Sequence, residues 1–188
     1  MVDPISLSAI GAVAITEGIK FLYGQASDIL KRWLDHRDAE KNVSAQQSKT
    51  EPVEVKLPDI FEGQLSNPQI HYTVVAELDT QLRELRKDLA DYADGIEKVN
   101  PDDKDLLQRV DALRRVLEAV YQQRLTFKGE RRAPSGPLVE SSINVEEVAG
   151  YVAAVRARHI IGNVKAEAQA NHVAQGAQFI GIDADTIG

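Results

Sequence analysis

Apolar and polar residues alternate one by one near the C-terminus, most regularly from Val164 to Ala170. Side chains on a β-strand point alternately to opposite faces, so this period of two predicts strands with one packed face. The stretch divides into three copies, 148–160, 161–173 and 174–187, and each copy has Gly or Asn at its third position. A short period with one turn residue per copy is typical of a stacked β-repeat or a small meander.

The inward positions of these copies are mostly alanine, which buries little apolar area at about 25 cal/mol per Å2. Three strands would also leave long unpaired edges, a liability for a soluble monomer. We therefore expect a homo-oligomer, closed as an intertwined β-prism or an extended intersubunit sheet, unless the sheet packs on the helices instead. The expected assembly residues are Val155, Ala157, Ile160, Ala168, Ala170, Val173, Ile182, Ala184 and Ile187.

Residues 127–147 are predicted to be a basic loop and a connector that leads into the first copy. Lys128, Arg131 and Arg132 make the loop locally basic, so they are the candidates for contact with an anion. The alternative is a solvated turn. The next segment, 145–158, stays open between helix and strand, because residues 144–147 could also cap a short helix.

The chain begins with a period near 3.6, which predicts an amphipathic helix over about residues 1–41. Asp3 and Pro4 form a favourable start, with Asp as N-cap and Pro at the first helical position. The apolar stripe consists of Ile15, Ile19, Leu22, Ala26, Ile29 and Trp33.

Small residues occupy one side of the first half of this helix, at Gly11, Ala14 and Gly18. Glycine inside a helix costs roughly 1 kcal/mol relative to alanine, so a compensating contact is expected. Either the helix packs tightly against a neighbour within the chain, or this face engages a membrane or a partner groove.

The opening residues, Met1 to Ala9 (MVDPISLSA) and the Ala/Gly/Ile-rich helix after them, resemble the helical N-terminal domains of fungal STAND (NLR-like) proteins. The resemblance covers about 25 of the 188 residues. It implies a signalling or pore-forming N-terminal helix displayed by an oligomer. The chain departs from those proteins in having no GxxxxGK[ST] motif for nucleotide binding.

Residues 42–70 contain three prolines and a brief alternation from Val53 to Leu57. Proline on both sides of that alternation limits it to an edge strand or an extended strap. We expect either a flexible linker or a strap that lies over a neighbouring surface through Leu57, Ile60 and Phe61.

Residues 71–126 are predicted to form an antiparallel helical hairpin. Its first helix carries a heptad seam from Val75 to Val99, and its second carries one from Leu106 to Val120. Asn100, with proline after it, is the expected N-cap of the second helix. The seam is satisfied either by the N-terminal helix, in a three-helix bundle, or by another subunit.

The composition excludes several functional classes. The chain has no cysteine, which removes disulfides, thiolate metal sites and cysteine nucleophiles. Its net charge of −7 disfavours nucleic acid as a partner. The apolar run at the N-terminus is interrupted by Glu17 and Lys20, short of the roughly 20 apolar residues of a spanning helix. We expect a cytoplasmic protein.

No pattern in the chain predicts a catalytic residue, a cofactor site or a metal site. His159 and His172 take equivalent places in the copies, which indicates a structural role, such as a stacked pair, rather than proton transfer. Asp183 and Asp185 share a strand face and are expected to be solvated. We therefore expect a protein that is not an enzyme and needs no cofactor.

The expected fold class is α+β: a helical hairpin or three-helix bundle, then a small C-terminal β-repeat of three strands or a short β-prism, in an oligomer. The expected function is a self-assembling adaptor whose tail oligomerises it and whose N-terminal helix engages a protein partner or a membrane. One alternative is a structural component of a phage-like or injection-type particle. A second is a nucleic-acid accessory protein that acts through the basic loop.

Overall fold

A computed structural model describes residues 11–42, 48–148, 151–160 and 164–187. The chain separates into two compact units, Met1–Gly136 and Pro137–Gly188. The helix start expected at Asp3 and Pro4, and the residues Met1 to Ala9 that carry the resemblance, lie outside the described residues.

In the described part of the N-terminal unit, three long helices pack against one another as a bundle. They are α1 (Ala12–Asn42), α2 (Tyr72–Asp88) and α4 (Lys104–Tyr121), with a single turn of helix, α3 (Ala90–Ala93), after α2. The apolar stripe of α1 faces this core. The heptad-seam residues other than Ile96 therefore pack in this core within one chain. The core includes the fully buried residues Ile19, Leu22, Ile29, Val75, Leu82, Val110, Leu113 and Leu117.

The first helix of the hairpin is shorter than its apolar pattern predicts. It ends at Asp88, α3 adds one turn, and the chain then bends at Gly95, where φ is +77°. Ile96, an expected seam residue, is 73% exposed. Glycine adopts this positive φ without steric cost, so the helix stops there although the spacing of apolar residues continues.

The N-cap of the second helix is Asp103, not the expected Asn100. The Asp103 carboxylate accepts hydrogen bonds from the backbone N–H groups of Asp105 and Leu106, both at 3.0 Å. The Asn100 side chain accepts one from the Asp102 N–H at 3.0 Å, which stabilises the turn before the helix. Both residue types suit an N-cap, and Asp103 satisfies the two free helical donors.

From residue 48 onward, the segment between α1 and α2 is a strap, not a flexible linker. Its strands β1 (Thr50–Pro52) and β3 (Gln69–His71) pair antiparallel with each other. Its strand β2 (Phe61–Glu62) pairs antiparallel with β5 (Thr126–Phe127), which follows β4 (Gln123–Arg124) after α4. Phe61 is buried, whereas Leu57 and Ile60 are half-buried against the core. The alternation from Val53 to Leu57 forms no strand, but its apolar side chains pack on the same core.

The C-terminal unit consists of four ten-residue strands in its described part: β7 (Val139–Val148), β8 (Tyr151–Ile160), β9 (Val164–Val173) and β10 (Gln178–Ile187). Strand β6 (Gly136–Pro137) lies where the chain passes from one unit to the other. Strand β7 pairs in parallel with β9, and β8 pairs in parallel with β10.

One expectation for this unit is wrong, and two alternatives that the sequence left open are decided. There are four strands instead of three, because residues 139–148 form a strand and not part of a connector. The described residues of 145–158 are strand rather than helix. Consecutive strands do not pair as they would in a meander; each strand pairs with the strand after the next. The chain therefore passes through two strands before it lies beside an earlier strand again. A single copy of the sequence pattern is too short to bring the chain back beside itself.

Candidate assembly interface

The register of the C-terminal strands places apolar residues opposite apolar residues. Six of the nine expected assembly residues form three such pairs between β8 and β10: Val155 with Ile182, Ala157 with Ala184, and Ile160 with Ile187. In a parallel pair, residues in register project to the same face, so each apolar position becomes part of a ladder that runs across the strands.

The other three expected residues, Ala168, Ala170 and Val173, lie in β9. Their partners are Ile143, Val145 and Val148 of β7, which the sequence analysis missed. A signal for them exists in the sequence. Residues 143–148 (INVEEV) repeat the copy ending of apolar, gap, apolar, gap, polar, aliphatic, with Glu147 in place of His or Thr. Leu138 stands where the other copies have a turn residue, which hides this ending.

Each of these four strands pairs with one other strand only, in the part of the chain that the structure describes. Each therefore has one long edge with no strand beside it. Along such an edge about half of the residues direct their backbone N–H and C=O groups outward. A long edge of this kind is a template for pairing with another chain.

Among the residues of this unit whose burial is described, none is buried. The apolar residues Ala168, Ala170, Ile180 and Ile182 are only half-buried, and Val173 is 43% exposed. Parallel sheets occur almost only where both faces are covered, and a unit of this size buries too little surface to be more than marginally stable. The N-terminal unit, in contrast, has a continuous buried core.

Charged residues in register are complementary. Glu140 is the partner of Lys165, and Arg156 is the partner of Asp183. The Arg156 Nε lies 3.5 Å from the Asp183 Oδ2. No described register pair sets like charges opposite each other. Opposite charges on neighbouring strands stabilise the pairing, and like charges destabilise it.

The two histidines of the copies are not partners of each other. His159 is in register with Thr186, and His172 is in register with Glu147. A stacked pair, one form of the structural role expected for them, is therefore not formed in this register, because each strand pairs with the strand after the next and these two histidines lie in consecutive strands.

Tyr151 completes a small polar cluster on the β8–β10 sheet. Its hydroxyl donates a hydrogen bond to the Asp183 carboxylate, and the Arg156 guanidinium lies 5.4 Å from the centre of its ring. The hydrogen bond to Asp183 raises the pKa of the Tyr151 hydroxyl. The cluster is solvent-exposed, so it orients these side chains but adds little stability by itself.

A comparison of the chain with protein-family models, with curated proteins and with solved structures finds no match.

The three small residues expected at an N-terminal interaction face have different surroundings. Gly18 is buried, and a Cβ added there would overlap the Phe127 ring. Ala14 is half-buried against the core, and Gly11 is exposed. Within the folded unit, Gly18 contacts an aromatic side chain of its own chain. Val13, which is 76% exposed, lies beside Gly11 at the start of the helix.

The three basic loop residues also differ. Arg132 donates a hydrogen bond to the Glu118 carboxylate at 2.9 Å, and both side chains are mostly buried. Lys128 and Arg131 are exposed. Lys128 lines a pocket together with Lys56 and Asp59. The structure therefore does not bring the three cations together as one anion-binding group.

Two further findings concern the described residues. They contain no group of three or more His, Asp or Glu side chains that could hold a metal ion. None of their helices is both long enough and apolar enough to cross a membrane.

Proposed function

We propose that this protein is a non-enzymatic, self-assembling adaptor. In this proposal the C-terminal unit joins copies of the chain, and the assembly displays the N-terminal helical unit to a protein partner. The observation that carries the proposal concerns strands β7 to β10. In the described part of the chain, each of these four long strands has one long edge with no strand beside it, and none of the side chains whose burial is described is buried.

The contrast between the two units supports this division of labour. The N-terminal unit buries a core of large aliphatic and aromatic side chains, so it has what a unit needs to fold by itself. The C-terminal unit has long ladders of small and branched apolar residues, and the ladder residues whose burial is described are half-buried or exposed. Apolar surface of this kind gains about 25 cal/mol per Å2 when a second copy covers it.

The displayed contact would lie at the start of α1. Val13 and Gly11 are exposed there, whereas Gly18 is not accessible while the unit is folded. A partner surface or a membrane surface that binds this end of the described helix would contact Val13. A Val13→Glu variant should weaken that contact without loss of stability, because the side chain already lies in water.

Light scattering after size exclusion tests the assembly. The full-length chain of 20.7 kDa should elute with a mass that is a multiple of this value. A chain that ends at Gly136 should be a folded monomer, because it retains the whole described core. Monomers in both samples, at concentrations up to about 1 mM, would overturn the proposal.

A further inference from the structure

We infer that copies of this chain join head to tail, through parallel, in-register pairing of β9 and β10 of one copy with β7 and β8 of the next. This inference rests on the proposed self-assembly and specifies its geometry. We call β7 and β8 the first rung of the unit, and β9 and β10 the second rung.

The pairing inside one chain already provides the template. The second rung lies against the first with β9 parallel to β7 and β10 parallel to β8. The free edge of β9 is therefore equivalent to the edge of β7 that already pairs with β9, and β10 and β8 are related in the same way. A second copy placed on the second rung by its own first rung repeats the same backbone pairing.

The residue types are compatible with the same pairing between two copies. A junction in the same register sets Lys165 of one copy opposite Glu140 of the next, and Asp183 opposite Arg156. Apolar positions again meet apolar positions, so the ladder through Val155 and Ile182 continues across the junction. An antiparallel or shifted junction loses both correspondences, because a shift by one residue moves the side chains to the opposite face.

The two ends of the unit are different surfaces, since one is a first rung and the other is a second rung. A contact between different surfaces is heterologous, and copies related by translation along the stack do not close into a ring. The inferred assembly is therefore an open-ended stack whose mass rises with concentration. Neighbouring strands are about 4.8 Å apart, so equivalent residues in adjacent copies would lie about 10 Å apart.

A charge-exchange experiment tests the register. In the double variants Glu140→Lys/Lys165→Glu and Arg156→Asp/Asp183→Arg, each pair keeps its opposite charges within the chain and between identical copies. A mixed junction between the wild type and the first variant sets lysine against lysine or glutamate against glutamate, depending on which copy comes first. With the second variant it sets aspartate against aspartate or arginine against arginine. Each double variant should assemble like the wild type, yet mixed junctions should be about two- to fivefold rarer than like junctions.

The readout is energy transfer between dyes on Gln175→Cys, an exposed turn position in a chain with no other cysteine. The matched control is Asp79→Arg/Arg83→Asp, which exchanges an exposed ion pair of the helical unit. This control should mix freely with the wild type. A high salt concentration of about 1 M should restore mixing of the charge-exchanged variants, because it screens exposed charges.

The experiment distinguishes failure of the proposed register from failure of self-assembly. Free mixing of both double variants with the wild type would overturn the in-register stack and leave self-assembly standing. Wild-type monomers would overturn both. A nitroxide on Gln175→Cys gives a second measurement that needs no charge variant: strong dipolar broadening from neighbours at about 10 Å supports the stack, and its absence in assembled protein contradicts it.

Discussion

Arg114 and Glu130 form a fully buried ion pair in which the Arg114 Nη1 lies 2.7 Å from each carboxylate oxygen of Glu130. The Glu130 carboxylate also accepts a hydrogen bond from the Phe127 backbone N–H at 2.8 Å. Asp111 contacts the same guanidinium. This pair fixes the loop after β5 to helix α4, so the loop is part of the helical unit rather than a free connector.

Removal of one member should leave a buried charge without its main partner. We expect Glu130→Ala to lower the free energy of unfolding of the N-terminal unit by about 3–5 kcal/mol. The matched control is Arg115→Ala, which removes a half-exposed ion pair with Asp111 and should cost at most about 1 kcal/mol. Urea unfolding of the chain that ends at Gly136 measures both. Equal effects of the two variants would contradict this assignment.

Gly18 and Gly24 lie in the same helix and should respond oppositely to alanine. At Gly18 the new Cβ would overlap the Phe127 ring, which stacks on Phe61 with ring centres 4.5 Å apart. We expect Gly18→Ala to destabilise the unit by about 1–2 kcal/mol after its gain in helix propensity.

At Gly24 a Cβ would meet nothing within 4 Å, so Gly24→Ala should stabilise the unit by about 0.5–1 kcal/mol. Thermal unfolding of the two variants beside the wild type gives the signs directly. If both substitutions raised the melting temperature, the packing of Gly18 on Phe127 would be wrong.

His71 should make the stability of the N-terminal unit depend on pH. Burial lowers its pKa from the ordinary value of 6.5. Near that pH the unfolded chain binds more protons than the folded one, so stability is complete above about pH 6.5 and falls as the pH drops towards the folded pKa. Denaturant unfolding between about pH 5 and 8 measures the slope. The His71→Gln variant should have a smaller slope than the wild type, and an unchanged slope would contradict the burial effect.

A charge on the apolar ladder should prevent assembly. In the proposed stack, Ile182 lies in register with Val155 and recurs in every copy. We expect Ile182→Lys to raise the concentration needed for assembly more than tenfold, which corresponds to about 1.4 kcal/mol per junction. Gln178→Lys, at an exposed position of the same strand and in register with the uncharged Tyr151, is the control and should change this concentration less. Light scattering over a dilution series compares the variants.

The helices could be predicted from the sequence because their period is local. The apolar stripe of α1 from Ile15 to Ile29 is buried as expected. The ends of the hairpin helices are harder to predict from the sequence. Asn100 and Asp103 are both suitable N-caps, and only the folded backbone shows which one is used. Gly18 and Phe127 are far apart in sequence. The spacing of small residues in α1 predicts a close contact but not that Phe127 makes it.

The strands illustrate a different limit. Alternation from Val164 to Ala170 predicts a strand, but the same alternation fits antiparallel and parallel neighbours equally well. The alignment of the copies gave equivalent positions such as Val155 and Ile182, which are in register in the structure. The same alignment does not predict that each strand pairs with the strand after the next and not with the next strand. The fourth strand was missed because Leu138 and Glu147 replace the residues that marked the other copies.

Amide hydrogen exchange of the full-length protein at two concentrations tests the central claim most directly. The claim is that strands β7 to β10 are incomplete until another copy pairs with them. We predict that amides of residues 164–173 and 178–187 are protected in the assembled protein and lose this protection on dilution to monomers, while buried helical amides such as that of Leu117 stay protected in both. Strong protection of these strands in the monomer would contradict the claim.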